Sequence, residues 1–399
     1  MNSKTKVIIA GGGIGGAAAA LSLLNRGFDV EVYEQAPELG EVGAGVQISP
    51  NGNRALDHLG VFNDLARLSS DADDKVIRLW DAGTTWEMFD LGTEALHRYG
   101  YPYLTVYRPD LLQVLIDAVR RKKPDAIHLD KKCVGFTQDA ESVTLNFADG
   151  SSASGDILIG ADGVHSVIRN GLFGSEPAKF SGMLAWRGVI PLDRLPEEMS
   201  RPRATVWVGP NGHVVHYPLR GGKLMNVVAT AERDDWQVES WTTEGSKEEF
   251  RNDFAGWHPD VQKLIEAAPS QFKWALMVRP PLQTWAEGRV ALLGDACHPT
   301  LPLLAQGAVM AVEDSVILGR CLEKYADDPV KALSQYEKTR SPIANRKVQG
   351  ANDNIRRFHN AAFKTGETAK QFIDSEWSRE AIIARYDWIF RDDVTTTEI

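Results

Sequence analysis

The sequence predicts an α/β chain in which a parallel, helix-covered sheet is interleaved with a second, mostly antiparallel sheet and followed by C-terminal helices. Three observations predict it. Lys6 to Ala10 is a short Val/Ile run between a polar start and a glycine cluster, which reads as a strand. Ala17 to Arg26 follows as a helix ended by Gly27, and Phe28 to Tyr33 is a second β-branched run, so one βαβ unit fills the first 34 residues. Further on, Lys75 to Phe89 and Ala204 to Ala231 are rich in Trp, Val, His and Tyr with short polar breaks, the pattern of antiparallel strands forming a broad face.

Between these stretches, Pro109 to Arg121 is predicted helical. Ser142 to Asp156 reads as a hairpin turning at Asp149-Gly150, followed by a strand at Ile157 to Ile159. After about Val309 the chain turns helical, and Glu323 to Phe390, charged and bearing Trp and Tyr, reads as a helical cap. Alternation of the two segment types predicts two interleaved, discontinuous domains.

Composition excludes several classes. With 399 residues, 43% hydrophobic, 25% charged and 35 glycines, the chain is neither disordered, collagenous nor a coiled coil. A formal charge of −10 argues against a nucleic-acid partner, since phosphate binding shows as a basic excess. Cys133, Cys297 and Cys321 are far apart and odd in number, which indicates neither a disulfide framework nor a zinc site. No apolar run reaches the roughly 18 residues of a membrane span. The first strand begins within five residues or so of Met1, which leaves no room for a signal peptide, so the expected location is the cytoplasm.

Three motifs carry chemistry. In Gly11-Gly-Gly13-Ile-Gly-Gly16, between strand and helix, Gly11 permits a tight turn and Gly13 lets the backbone approach a pyrophosphate. Gly16 lets the helix pack closely on the strand, with its N-terminus toward the anion. Glu34 follows Gly16 by 18 residues, where a carboxylate accepts from the hydroxyl of an unphosphorylated ribose, as in FAD or NAD. Asp156-Ile-Leu-Ile-Gly160-Ala161-Asp162-Gly163 is a buried strand ending in an acidic turn before a helix near Ser166. Asp162 there is placed either to cap the helix or to bind a ligand hydroxyl. In Gly288 to Pro299 a buried strand runs into Gly294-Asp295, and a helix begins about Ala308, a second place for a ribityl or phosphate group. A large dinucleotide explains all three in one Rossmann-like domain.

Together these motifs resemble the fingerprints of the FAD-dependent single-component aromatic hydroxylases, the family of p-hydroxybenzoate and salicylate hydroxylases, over nearly the whole chain. Arg108-Pro-Asp110-Leu111 and Tyr336 to Arg340 match it as well. The resemblance implies that Gly11, Gly13, Gly16 and Glu34 bind the ADP half of FAD, with Arg108 near the pyrophosphate and Gln113 a lesser candidate. It implies that Asp162 sits in a motif shared between FAD and the nicotinamide nucleotide, and that Asp295 binds the ribityl or pyrophosphate part. The Gly307, Ala308 and Val309 backbone would line the isoalloxazine, and Ile14, Gly15, Gln35, Gly45, Val46 and Pro302 complete the cofactor set. Where many relatives have Gly-Gln-Gly, this chain has Ala305-Gln306-Gly307. The implied division is residues 1–72, 100–178 and 279–330 for FAD, 73–99 and 179–278 for substrate, and 331–399 as a C-terminal helical segment.

Similarity is greater to the branch acting on 3-hydroxybenzoate, salicylate and 6-hydroxynicotinate. The similar segments are Gly43 to Asn51, Gly209 to Gly222 and Gly294 to Asp314. His213 and Tyr217, four apart on a strand, share a face, while His216 points to the other. Such a pair can hydrogen-bond a phenol oxygen and help remove its proton, because neutral imidazole is a usable base near pH 7. Gln47 stands where hydroxynicotinate enzymes typically carry His, which points to a hydroxybenzoate, and Gln47 and Pro302 join His213 and Tyr217 as substrate residues. Pro302 in place of a polar residue leaves the attacked ring position open. Arg187 and Arg220 are candidates for a substrate carboxylate, each equally suited to a structural ion pair. No metal is implied, and Cys297-His298 lacks ligand spacing.

The implied activity is an NAD(P)H-consuming monooxygenase working through a flavin C4a-hydroperoxide, with 3-hydroxybenzoate 6-hydroxylase, forming gentisate, as the first expectation. Salicylate 1-hydroxylase, which releases CO2, and 6-hydroxynicotinate 3-monooxygenase are the alternatives. From another class stands a non-catalytic flavin-binding or redox-sensing protein, whose mark is an exposed low-pKa cysteine near the flavin. Expected partners are a small aromatic acid, O2 and NADH or NADPH visiting transiently, in a monomer or homodimer.

Overall fold

The computed structural model describes residues 5–40, 44–72, 74–235 and 243–399. The glycine cluster falls between the first two elements, as its spacing requires: strand Lys6–Ala10, helix Ile14–Asn25, strand Asp29–Tyr33. The helix begins three residues earlier than predicted. Its first turn is the glycine motif itself, with the Ala17 N–H donating to the Gly13 carbonyl at 2.9 Å.

These strands belong to a six-stranded sheet ordered Ala286–Glu287, Val290–Leu292, Ile157–Gly160, Lys6–Ala10, Asp29–Tyr33, Ile127–His128. It is parallel except at the edge strand Ala286–Glu287. Helix Ile14–Asn25 packs against both Arg108–Lys122 and Gly307–Lys324. The expected hairpin is present as Val143–Phe147 and Ser152–Gly155, joined through Gly150 at φ 82°. The strands of this half are near-continuous Val, Ile and Leu because both faces are covered.

The second sheet has seven strands, ordered Phe272–Val278, Lys179–Pro191, Leu224–Glu232, Gly212–Leu219, Arg203–Gly209, Asp74–Leu79, Thr85–Asp90. The sheet is mostly antiparallel, as expected, with one parallel pair: Asp74–Leu79 runs parallel to Arg203–Gly209. These two strands come from separate passes of the chain with other elements between them, so no hairpin imposes opposite directions.

Register sorts this sheet's side chains with period 2. Val206 pairs with Val215 and with Ile77, and Ala204 pairs with Lys75. His213, Val215 and Tyr217 stand opposite Thr230, Val228 and Asn226, and Val228 stands opposite Arg187. Lys75, His213, Val215, Tyr217, Val228 and Arg187 therefore share one face. Trp186, Trp207 and Val214 point the other way into a core with Phe250, Phe254 and Leu264 from helices flanking that side.

C-terminal helices close over the first face. After Pro329–Asp353, the segments Ile355–Phe358, Gly366–Glu376 and Arg379–Phe390 bring Phe358, Trp377, Tyr386 and Phe390 into a core with Tyr103, Tyr217 and Trp274. Phe358 stacks on Trp377 at 5.5 Å. Among the described residues no helix is long and apolar enough to cross a membrane.

Candidate active site

A cavity of about 320 Å³ lies where the two sheets meet. From the parallel half it takes Gly13, Ile14, Gly15, Arg108, Asp295, Gly307 and Ala308; from the second sheet it takes Arg187, His213, Val215, Tyr217, Val228 and Trp274. Gly45, Val46, Gln47 and Pro302 lie between. The three glycine-acid motifs, separated by more than a hundred residues of sequence each, thus converge on one groove with the His/Tyr strand.

The glycines show why these residue types are needed. A Cβ on Gly11, whose φ is +103°, would meet the Ala161 carbonyl oxygen at 2.3 Å, and one on Gly16 would meet the Gly11 carbonyl oxygen at 1.9 Å. A Cβ on Gly13 would meet nothing within 4 Å, so the space above it faces the cavity and is open to a ligand. Helix Gly307–Lys324 points its N-terminus at the same groove, and its first-turn N–H groups have no intrahelical partner. The Val309 side chain turns inward against Gly52, which leaves only its backbone for that role. Ala305 adopts φ +54°, the left-handed conformation that favours glycine.

Two acidic residues differ from their simplest reading. Glu34 accepts from the Gly12 N–H at 2.6 Å and the Ala36 N–H at 2.9 Å, so it holds the glycine loop as well as standing at its edge beside exposed Gln35. Asp162 takes the capping alternative. It accepts from the Ser166 hydroxyl at 2.5 Å and the Val167 N–H at 2.7 Å, so its side chain is committed to helix Val167–Phe173 and does not line the cavity. Asp295, by contrast, is exposed and lines it. Gln113 is exposed and donates to Asp117, away from the groove, which removes it as a candidate.

On the substrate side, Gln47 is buried and accepts from the Tyr103 hydroxyl at 2.9 Å, and its side chain also meets Tyr217. Burial pushes the Tyr217 phenol well above its ordinary value, so it stays protonated. Burial and then neighbouring His359 lower the His213 imidazole well below its ordinary value, so it is neutral at pH 7. Arg220 is not a carboxylate receptor, because its guanidinium grips Asp110 through both ends, with Nε at 2.8 Å. Arg187 lines the cavity over the Trp274 ring at 5.3 Å.

One residue was missed by sequence reasoning. A small inner chamber behind Pro302 is lined by Lys75 together with Gln47, Tyr103 and His213. Although the residue as a whole keeps some surface, desolvation of its ammonium lowers the Lys75 pKa to about 8, and no carboxylate bonds it among the described residues. Alternation along Asp74–Leu79 could have placed it inward, but a lone Lys in a Trp-rich stretch carries no local signal. Gly43, in a segment similar to relatives, lies outside the described residues.

Cys297, His298 and Asp314 come within 4.8 Å of one another, all buried. His298 Nε2 is 2.6 Å from Asp314, and the Arg340 guanidinium contacts Asp314 at 2.8 Å, a positive charge that opposes a cation there. Burial raises all three thiols, Cys133 to about 11, Cys321 to about 12 and Cys297 well above its ordinary value, the reverse of a reactive sensor cysteine.

Comparison with known proteins gives the same picture. A family described as FAD binding domain matches residues 4–351. A 3-amino-4-hydroxybenzoate 2-monooxygenase of Streptomyces platensis is 37% identical over 89% of each chain. A 3-hydroxybenzoate 6-hydroxylase of Polaromonas naphthalenivorans is 39% identical over 93% of this chain and 94% of the relative. Among solved structures, Klebsiella pneumoniae HpxO complexed with FAD and uric acid superposes with a TM-score of 0.83 at 29% identity, covering 99% of this chain and 97% of that one.

Proposed function

This chain belongs to the FAD-binding family of aromatic-ring hydroxylases and is an FAD-dependent monooxygenase, and from that premise we propose that it hydroxylates a small phenolic acid, with 3-hydroxybenzoate attacked at position 6 as the first candidate. The observation that carries the substrate class is the chamber itself: His213 and Tyr217 on one sheet face, with the Lys75 ammonium in the adjoining inner chamber. A hydroxyl and a carboxylate on one ring fit a pair of receptors of this kind.

The residues present fit FAD. Gly11, Gly13, Ile14, Gly15, Gly16, Glu34 and Gln35 would hold its ADP half, and Arg108 and Asp295 its pyrophosphate and ribityl parts. Gly45, Val46, Pro302 and the N–H groups of Gly307, Ala308 and Val309 would line its ring system. When bound, FAD supplies the activation of O2 with electrons from NADH or NADPH. Residues 1–72, 100–178 and 279–330 would serve the cofactor and 73–99 and 179–278 the substrate, with 331–399 closing the chamber.

The chain's own residues do the rest. Neutral His213 accepts the phenolic proton, which makes the ring electron-rich at the carbon to be attacked. Tyr217, kept protonated and tied to Gln47, donates to the resulting phenolate oxygen. Lys75 pairs with the carboxylate and so fixes the ring's orientation, while Pro302, Leu303 and the C-terminal aromatic residues exclude water.

The test is turnover of the purified holoenzyme with 3-hydroxybenzoate, salicylate, 4-hydroxybenzoate and 6-hydroxynicotinate, following NADH and NADPH oxidation and separating products. The 2,5-dihydroxy acid without CO2 is expected from 3-hydroxybenzoate; CO2 release would select the salicylate reading instead. His213→Ala is expected to keep FAD and lose product formation by about 10²–10⁴-fold, and an unchanged rate removes His213 from the mechanism.

A further inference from the structure

His213 continues beyond the cavity. Its Nδ1 lies 2.7 Å from Nε2 of His359, and Nδ1 of His359 lies 3.1 Å from a carboxylate oxygen of Glu232. His213 is 2% exposed and His359 8%, whereas the Glu232 side chain is 44% exposed. Three side chains from a sheet strand, a helix end and a neighbouring strand end thus form one file from the cavity wall to solvent.

The geometry is directional. With Nδ1 of His213 engaged by His359, Nε2 is the ring nitrogen left for a ligand. For Nε2 to accept a proton, Nδ1 must carry one and donate it to Nε2 of His359. That leaves the His359 proton on Nδ1, donated to Glu232. Each group then has the tautomer its neighbour requires, and the acceptor-only carboxylate at the surface fixes the order.

We propose that His213, His359 and Glu232 form a proton relay that carries the substrate's phenolic proton from the cavity to the surface. The inference rests on the phenolic-acid reading above. In the step, the phenol O–H bond breaks and an N–H bond forms at His213 Nε2. The Nδ1 proton of His213 passes to His359 Nε2, the Nδ1 proton of His359 passes to Glu232, and the carboxyl group releases it to water. No electrons are exchanged, and the net change is one proton moved outward.

There is a physical reason for such a file. Burial makes an imidazolium at His213 costly, and a second histidine rather than a carboxylate sits beside it. A base that had to keep the proton would be weak. Handing the charge to an exposed carboxylate leaves the interior neutral apart from the phenolate, which Tyr217 steadies. Phe358, whose ring centroid is 5.1 Å from that of His213, packs beside the first link. His213 touches substrate in this scheme; His359 and Glu232 act through it.

The experiment uses the FAD-loaded full chain. Ionisation of bound 3-hydroxybenzoate after a pH jump is followed at the phenolate band for wild type, Glu232→Gln, Glu232→Ala and His359→Gln. Nitrogen-15 spectra of labelled histidine report the His213 tautomer. Ionisation is expected to slow at least tenfold in Glu232→Gln and His359→Gln, with ligand affinity changed less than twofold. Added formate should restore much of the rate in Glu232→Ala, which a purely structural role would not produce. The Nδ1–H tautomer of His213 should be present in wild type. Glu232 is a surface residue, so its variants keep the test decisive should His359→Gln fold poorly. A wild-type enzyme that hydroxylates while the Glu232 variants ionise the ligand within twofold of its rate overturns the relay alone. One that hydroxylates none of the four acids overturns the functional reading, and the relay with it.

Discussion

Beneath the helix Gly307–Lys324, Glu313 and Asp314 are met by Arg340, Lys347, His298 and Asn51, all essentially buried. Across the cavity, His213, His359 and Glu232 make a second polar file, and Lys75 stands near it with no carboxylate bonded to it among the described residues. Both assemblies bury ionisable groups, yet they end differently. In the first, each carboxylate has cationic partners inside the protein: Arg340 reaches Glu313 at 2.9 Å and Asp314 at 2.8 Å, and Lys347 reaches Glu313 at 2.7 Å. Burial opposes ionisation of Asp314, but His298 and Arg340 outweigh it and hold its pKa near 2. In the second, one end meets a cavity and the other meets water. A closed network fixes the helix that points at the groove; an open one leaves bonding capacity for a ligand.

The largest effect expected from this contrast is in the closed cluster. Arg340→Met should destabilise the protein by about 3–5 kcal/mol, because two buried carboxylates lose their shared cation. Urea unfolding measures it, and a loss below about 1 kcal/mol would mean the cluster is not the closed network described.

His216 sharpens the comparison from the same strand as His213. It faces the opposite way, and neither ring nitrogen has a hydrogen-bond partner among the described residues. Burial, then the nearby Arg78 charge, lowers its pKa to about 4, although Asp260 pulls the other way. The sign follows directly: below about pH 6.5 the unfolded chain binds a proton that the folded chain refuses, so stability falls with pH until about pH 4. His216→Leu should remove about 2 kcal/mol of the stability difference between pH 7 and pH 5. Unfolding curves of both proteins at the two pH values test this, and parallel pH dependences would refute it.

The smallest of these effects lies at the open end. Lys75→Met should raise KM for a carboxylated substrate about tenfold, or about 1.4 kcal/mol, with a far smaller change for a phenol lacking the acid. Equal changes for both ligands would show that Lys75 only packs the chamber.

Much of this site is local and could be read from the chain. The Gly11 to Gly16 spacing, Glu34 beyond the second strand, Ser166 before a helix and the four-residue step from His213 to Tyr217 all concern groups within a turn or a strand of one another. Asp162 shows the limit of such reading: its motif allowed two roles, and the carboxylate's actual partners chose the cap. His359 shows it more strongly, since within a charged helical segment it has no pattern that sets it apart.

By itself the sequence determined the βαβ unit, the glycine turn, the strand ends that reach the groove and the shared face of His213 and Tyr217. Backbone sterics and side-chain period act over a few residues and need no knowledge of the rest of the chain. Only the tertiary structure decided that Asp74–Leu79 runs parallel to Arg203–Gly209 and carries Lys75 to the cavity, and that a helix end 146 residues away sets His359 against His213. Contacts of that span are set by how whole sheets and helices pack their apolar faces, and burial then fixes which polar groups are closed off and which remain open.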